Sequence, residues 1–196
     1  MKNSELSTRE RMVQATCELL EAQGYHATGL NEILQRSDTP RGSLYYYFPE
    51  GKEELAIEAI KYQACFIESR LREDMQASED VAEVIRLLFN KLAHFAASVG
   101  CRALNPITAV ALESSTTSEP LRQACAEAYA SWRAIIEERL LASGLSTEDA
   151  ASLSLVILSA MEGASTLSRT LRSQEPLQQA GEQLARLLEL ILKKSA

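Results

Sequence analysis

The sequence predicts an all-α fold in two parts, a short head of three helices followed by a larger helical body. Three observations carry the prediction. Apolar residues recur at helical spacing almost throughout, no stretch alternates like a strand, and breaks are few, with 5 Pro and 8 Gly in 196 residues. The apolar share of 46% is enough for a packed core.

Ser7 followed by Glu10 is a capping box. It opens a first helix with Met12, Val13, Ala15, Thr16, Leu19 and Leu20 on one stripe, and Gly24 ends it. Thr28 is the expected N-cap of a second, short helix carrying Leu30, Ile33 and Leu34. That helix must stop near Arg36-Ser37-Asp38, because Pro40 disfavours a helical residue before it. Thr39 then caps a third helix with Pro40 at its first position, where a missing N–H costs nothing. Two short helices separated by three or four turn residues, after a longer one, have helix-turn-helix spacing. Pro49-Glu50-Gly51 interrupts the chain, and a long helix runs from Lys52 to about Gln76. Further helices are expected over Val81 to Val99, Pro106 to Leu112, Leu121 to Ala142, Thr147 to Leu171 and Pro176 to Lys194. The head is assigned to residues 1–52 and the body to 53–196.

The net charge of -7 and a pI near 5.0 give no whole-molecule attraction for nucleic acid or an acidic membrane. Any affinity for DNA must therefore be local. Residues 1–52 hold six Lys/Arg against seven Asp/Glu, but Thr39 to Pro49 contains Arg41 and no acid. Cys17, Cys65, Cys101 and Cys125 lie far apart, with no CxxC pair and no histidine cluster. They read as small apolar residues in a reducing compartment rather than as disulfides or a zinc site. His26 and His94 lack metal-ligand spacing. The N-terminus has no apolar leader and no continuous apolar run approaches a membrane span, so a cytoplasmic protein with no membrane partner is expected. No GxSxG, HExxH, phosphate-binding loop or dinucleotide fingerprint occurs. Neither enzymatic activity nor a cofactor is expected.

The stretch TPRGSLYYYF is the most informative in the chain. Leu44 with Phe48, and Tyr47 three residues from Leu44, can face a small core. Thr39, Pro40, Arg41, Gly42, Ser43, Tyr45 and Tyr46 are then left toward solvent. Hydroxyls, one guanidinium and a helix N-terminus suit phosphate oxygens and base edges, and Gly42 allows close backbone approach. A purely structural helix whose aromatics fill a core is the competing reading.

The segment TGLNEILQRSDTPRGSLYYYFPEGKEEL resembles the DNA-binding end of TetR-family transcriptional repressors. The family signature runs Lys/Arg-Gly-Ser/Thr-Leu-Tyr-Tyr-His-Phe, with a lysine opening the fourth helix. Here it reads Arg41, Gly42, Ser43, Leu44, Tyr45, Tyr46, Tyr47, Phe48 and Lys52. The resemblance implies DNA contacts from Thr28, Thr39, Pro40, Arg41, Gly42, Ser43, Tyr45, Tyr46, Tyr47 and Lys52. Tyr47 stands where the family has histidine, and PEG gives three residues before Lys52 where most members have two. The longer link is similar to the LmrA/YxaF subgroup, as are GCRALNPITAVALESS and LVILSAMEGASTLSRTLRSQEPL. In this chain Arg102-Ala103-Leu104-Asn105 separate Cys101 from Pro106, a departure from that subgroup's Gly-Cys-Pro.

The same resemblance implies a homodimer on double-stranded, near-palindromic operator DNA, released by a small apolar or aromatic inducer. The third helices would enter successive major grooves about 34 Å apart. Candidate inducer-lining residues are Phe66, Phe89, Phe95, Leu112, Tyr129, Trp132 and Met161, each of which could equally be plain core. Glu113 and Glu162 follow apolar runs; either could orient a ligand, or pair with an arginine such as Arg133 or Arg139. Leu153, Val156, Ile157 and Ala160, with Leu184, Leu187, Leu188 and Ile191, are the expected dimer interface, with an intramolecular core as the alternative. A redox-sensing regulator built on Cys101, or an activator, would share the same head.

Overall fold

The computed structural model describes residues 6–100 and 105–195. The described residues form nine α-helices and no strand: α1 (Thr8–Ala27), α2 (Leu30–Ser37), α3 (Arg41–Tyr47), α4 (Lys52–Met75), α5 (Val81–Ser98), α6 (Pro106–Ser114), α7 (Glu119–Ala142), α8 (Thr147–Leu171) and α9 (Glu175–Ser195). Every expected helix is present, and the ends follow local chemistry. Ser7 and Glu10 close the capping box on α1. Asp80, Asn105 and Ser146 accept backbone N–H groups at the starts of α5, α6 and α8. The helical path of α1 is interrupted at Gly24, whose φ of 79° is open to glycine and strained for other residues.

Two caps differ from expectation. The Thr28 hydroxyl donates to the Gly24 carbonyl at 2.7 Å and is buried, so it is drawn away from α2, and Gly29 becomes the N-cap. Thr39 is drawn into the turn: its N–H donates to the Leu34 carbonyl at 3.1 Å and its hydroxyl shares a 2.7 Å bond with Ser37. Pro40 therefore takes the N-cap position of α3.

The chain divides into two compact units, residues 1–66 with 104–128, and residues 67–103 with 129–196. The first contains the whole expected head, the first part of α4, α6 and the start of α7. Its core joins Met12, Leu19 and Leu20 to Ile33, Leu44, Phe48, Leu55, Ile60, Ile107 and Leu121, all at most 2% exposed. Within it α1 packs on both α2 and α6.

The second unit is built on α5 and α9, with α8 beside both. Val84, Ile85 and Phe89 of α5 and Leu177, Ala185 and Leu188 of α9 are buried, and Trp132, Ile136 and Leu140 of α7 complete the interior. Gly181 explains how close α5 and α9 come: a β-carbon there would lie 2.4 Å from Phe89 Cβ. Arg139 holds the α4–α5 connection by donating to the carbonyls of Met75 at 2.9 Å and Ser78 at 3.0 Å. By length and composition α8 could cross a membrane. Leu153, Ile157, Leu158 and Ala164 on it are nevertheless packed inside this unit.

Candidate nucleic-acid interface

The turn between α2 and α3 is tightly specified. Asp38 adopts the left-handed conformation (φ 49°), and the Ser37 hydroxyl donates to the Ile33 carbonyl at 2.7 Å. Arg11 of α1 donates its Nε to the Ser37 carbonyl at 3.1 Å, tying the turn to the supporting helix. Leu44 and Phe48, each 1% exposed, anchor α3 from below. The opposite face stands in solvent, with Tyr45 52% and Tyr46 78% exposed.

Tyr47 departs from its expected place in the small core. It is 38% exposed, and its ring packs edge-on against Tyr46 with centroids 4.8 Å apart. Leu44 and Phe48 already fill the space below α3, and Arg9 covers the Phe48 ring at 5.4 Å. Thr28 and Thr39, expected at the DNA face, are buried and engaged within the fold. Pro40, Arg41 and Gly42 are exposed and Ser43 is half-buried.

Charge pairing singles out Arg41. Arg36 pairs with Glu18 at 2.6 Å, and Arg9 pairs with Glu58. Such exposed pairs contribute under about 1 kcal/mol to stability, but they commit those cations. Arg41 has no hydrogen-bond or ion-pair partner among the described residues and begins α3 facing solvent. Lys52 behaves differently: its ammonium lies over the Tyr25 ring, 4.3 Å from the centroid. Partial burial pulls the Lys52 pKa below its ordinary value, against the opposing pull of Glu113. The ring face offers a place for a cation that the helix dipole disfavours at this end.

Glu113 has a task that sequence alone did not show. Its Oε2 accepts from the His26 backbone N–H at 2.8 Å, and its own carbonyl lies 3.2 Å from His26 Nε2. The carboxylate fits against Gly24 where a β-carbon would stand, 1.9 Å from Oε1. The end of α6 is thereby fastened to the kinked end of α1, and Glu113 is spent on this contact rather than on Arg133 or Arg139. No pattern local to α6 could reveal this, because the partner group is a backbone N–H 87 positions away.

The remaining inducer candidates fall in both units. In the second, the Tyr129 hydroxyl donates to Glu162 Oε2 at 3.2 Å, and Tyr129 meets Trp132 edge-on at 5.5 Å. Trp132 and Phe89 are fully buried, Met161 is half-buried and Phe95 is 57% exposed. Phe66 and Leu112, in the first unit, are 49% and 73% exposed. Arg133 is occupied by Ser154 Oγ and the Ala151 carbonyl.

Half of the expected interface residues turn inward: Leu153, Ile157, Leu184 and Leu188 are at most 9% exposed. Ala160 and Ile191 are half-buried. Exposed alongside Val156 and Leu187 are Leu155, Leu167 and Leu171 of α8 and Leu190 of α9, none of them among the expected interface residues. Cys101 lies outside the described residues. Among those described, no group of three or more His, Cys, Asp and Glu is placed to hold a metal.

A supporting α1, a short α2, a tight turn and an α3 offering an uncommitted guanidinium and tyrosines define a helix-turn-helix transcriptional regulator. The pattern of the bacterial regulatory proteins, tetR family, matches residues 13–59, and that of the LmrA/YxaF-like C-terminal domain matches residues 81–183. The chain belongs to the TetR family, with an LmrA/YxaF-like body. It is 40% identical over 171 residues to the transcriptional regulator LmrA of Bacillus subtilis, covering 87% of this chain and 90% of LmrA. It is 39% identical over 178 residues to YxaF of the same organism, covering 90% and 93%. A TetR regulator of Chloroflexus aurantiacus superposes with a TM-score of 0.78 at 29% identity, over 96% of each chain.

Proposed function

We propose that this protein is a repressor that binds a near-palindromic operator as a homodimer and leaves it when a small apolar or aromatic molecule occupies the body. The observation that carries the DNA reading is Arg41: an exposed, unpaired guanidinium at the start of α3, in an acid-free run flanked by hydroxyls. Arginine in this setting suits the O6/N7 edge of guanine or a phosphate. The apolar stripe of Leu155, Val156, Leu167 and Leu171 with Leu187 and Leu190 supports self-association through α8 and α9. The half-buried Tyr129, with its hydroxyl on Glu162 and its ring against the buried Trp132, joins aromatic and polar groups as small-molecule sites do.

Release follows if inducer favours a conformer in which the two heads no longer match the operator spacing. A coupling of about 1–3 kcal/mol weakens binding 5- to 150-fold. Helix α4, which begins at Lys52, is the proposed lever, and the α6–α1 fastening at Glu113 offers a second route to the head. The dimer acts in the cytoplasm on duplex DNA, without cofactor or catalysis.

A gel shift on the DNA upstream of the protein's own gene tests the reading. Wild type is expected to retard that fragment, with affinity falling steeply as salt rises. Arg41→Ala is expected to lose most of the shift, and equal retardation by both proteins removes the assignment of α3 as the reading helix.

A further inference from the structure

An open groove separates α2 from the start of α3, lined by Asn31, Leu34, Gln35, Asp38, Thr39, Pro40 and Arg41. Leu34 and Thr39, each 8% exposed, form its floor. Asn31 and Gln35 are four residues apart, hence on one face of α2, and form the wall opposite Pro40 and Arg41. Both are exposed, and neither carboxamide has a partner among the described residues. Their donors and acceptors are uncommitted, unlike those of Gln23 on α1, whose Nε2 donates to Glu32 at 2.7 Å.

The charges of the groove decide what it fits. Arg41 is its single cation and Asp38 its single acid, while Arg36 of α2 is held by Glu18. A phosphate site gathers cations and excludes carboxylates; this wall offers neutral amides and one carboxylate, a set that complements base edges with exocyclic amines. The groove is also continuous with the exposed reading face, because Arg41 belongs to both.

We propose that the α2 wall, Asn31 with Gln35, is a second base-reading element, its carboxamide directed to an adenine edge beside the base pair met by Arg41. Asparagine and glutamine suit adenine because one amide donates to N7 and accepts from N6 at once. The inference rests on the DNA reading above and adds specificity from a helix that otherwise serves to position α3.

Selection from a library of randomised DNA duplexes tests it whatever the operator sequence. Wild type is expected to enrich a two-fold symmetric consensus. Asn31→Ala is expected to keep that consensus except at one adenine-bearing position per half-site, which becomes degenerate. Its affinity for the wild-type consensus should fall about 10-fold, with the salt slope unchanged because no charge is lost. Gln35→Ala should blur the same or the adjoining position. Alanine is a strong helix former, and both sites are exposed, so thermal melts should match wild type. An unaltered consensus in both variants overturns the inference, and so does a uniform loss on all sequences, which marks a positioning role. Failure of wild type to enrich any sequence brings down the DNA reading itself.

Discussion

The carboxylate of Glu113 lies where a β-carbon on residue 24 would stand, so a side chain at position 24 would push it off the His26 N–H. Gly24 supplies two things at once, a left-handed φ of 79° that bends α1 and room for α6 to close on the bend. Gly24→Ala is therefore expected to destabilise the protein by more than the ~1–3 kcal/mol of this positive-φ, extended backbone alone. Glu113→Ala should cost about 1–2 kcal/mol through the lost acceptor for His26 N–H, and Glu113→Gln, which retains an acceptor oxygen, should recover most of it. Urea unfolding of the three variants checks this; equal losses for Ala and Gln would mean that the hydrogen bond contributes little.

Gly181 and Phe89 are a second such pair, in the other unit, where the strain is steric alone. Gly181→Ala would press a methyl group against Phe89 Cβ, which is fixed to its backbone and cannot rotate away. The expected cost is about 1–3 kcal/mol, comparable with other overpacked cores. Phe89→Ala removes a fully buried ring and should cost about 3–5 kcal/mol. Combined, the two should cost nearly their sum, because alanine at position 89 keeps the Cβ that the new methyl meets and removes only the lesser contact at Cγ. A double-mutant cycle from denaturant midpoints reads this directly.

If α8 and α9 meet their counterparts in a second chain, charge on the exposed stripe should separate the copies. Leu155→Glu with Leu190→Glu is expected to give a monomer by sedimentation while leaving helical content unchanged, since both side chains already stand in solvent. Operator affinity should fall with it, because two half-sites are then met independently. A variant that remains dimeric would place the interface elsewhere.

Thiol chemistry should divide the described cysteines sharply. Burial pushes the Cys17 thiol up to about 12 and Cys125 up to about 11, and both are enclosed. Cys65 is exposed. Iodoacetamide at pH 8 is expected to label Cys65 in the native protein and to reach Cys17 and Cys125 only after denaturation, as read by peptide mass spectrometry. Rapid native labelling of Cys17 would mean that α1 opens from α4, where its thiol meets the Ala59 carbonyl at 3.3 Å.

Acid should weaken the joint between α1 and α4. Burial pushes the Glu58 carboxyl up, but hydrogen bonds from Arg9 and Lys61 outweigh it and hold the pKa below the ordinary value. A depressed carboxylate contributes stability above its unfolded pKa, about 4.3, and loses it as pH falls through the lower folded value. The pair is partly exposed, so the effect is modest, about 1 kcal/mol or less. Comparing denaturant midpoints between pH 7 and pH 3 should show a shallower acid decline for Glu58→Gln than for wild type.

The helices and the reading motif were legible in the sequence because their determinants are local. Capping pairs such as Ser7 with Glu10, the breaks at Gly24 and Pro49-Glu50-Gly51, and the 3.6-residue recurrence of apolar side chains all act within a few residues. The family signature from Arg41 to Lys52 is equally compact. Tertiary structure decided which of those residues were already occupied. Thr28 and Thr39 were drawn inward by backbone carbonyls, Lys52 onto a tyrosine ring and Glu113 onto His26. On α8 and α9 a single periodicity could not tell the buried Leu153 and Leu188 from the exposed Leu155 and Leu190, since both sides are apolar. Pattern specifies that a face will be covered; only the packing of distant segments determines what covers it.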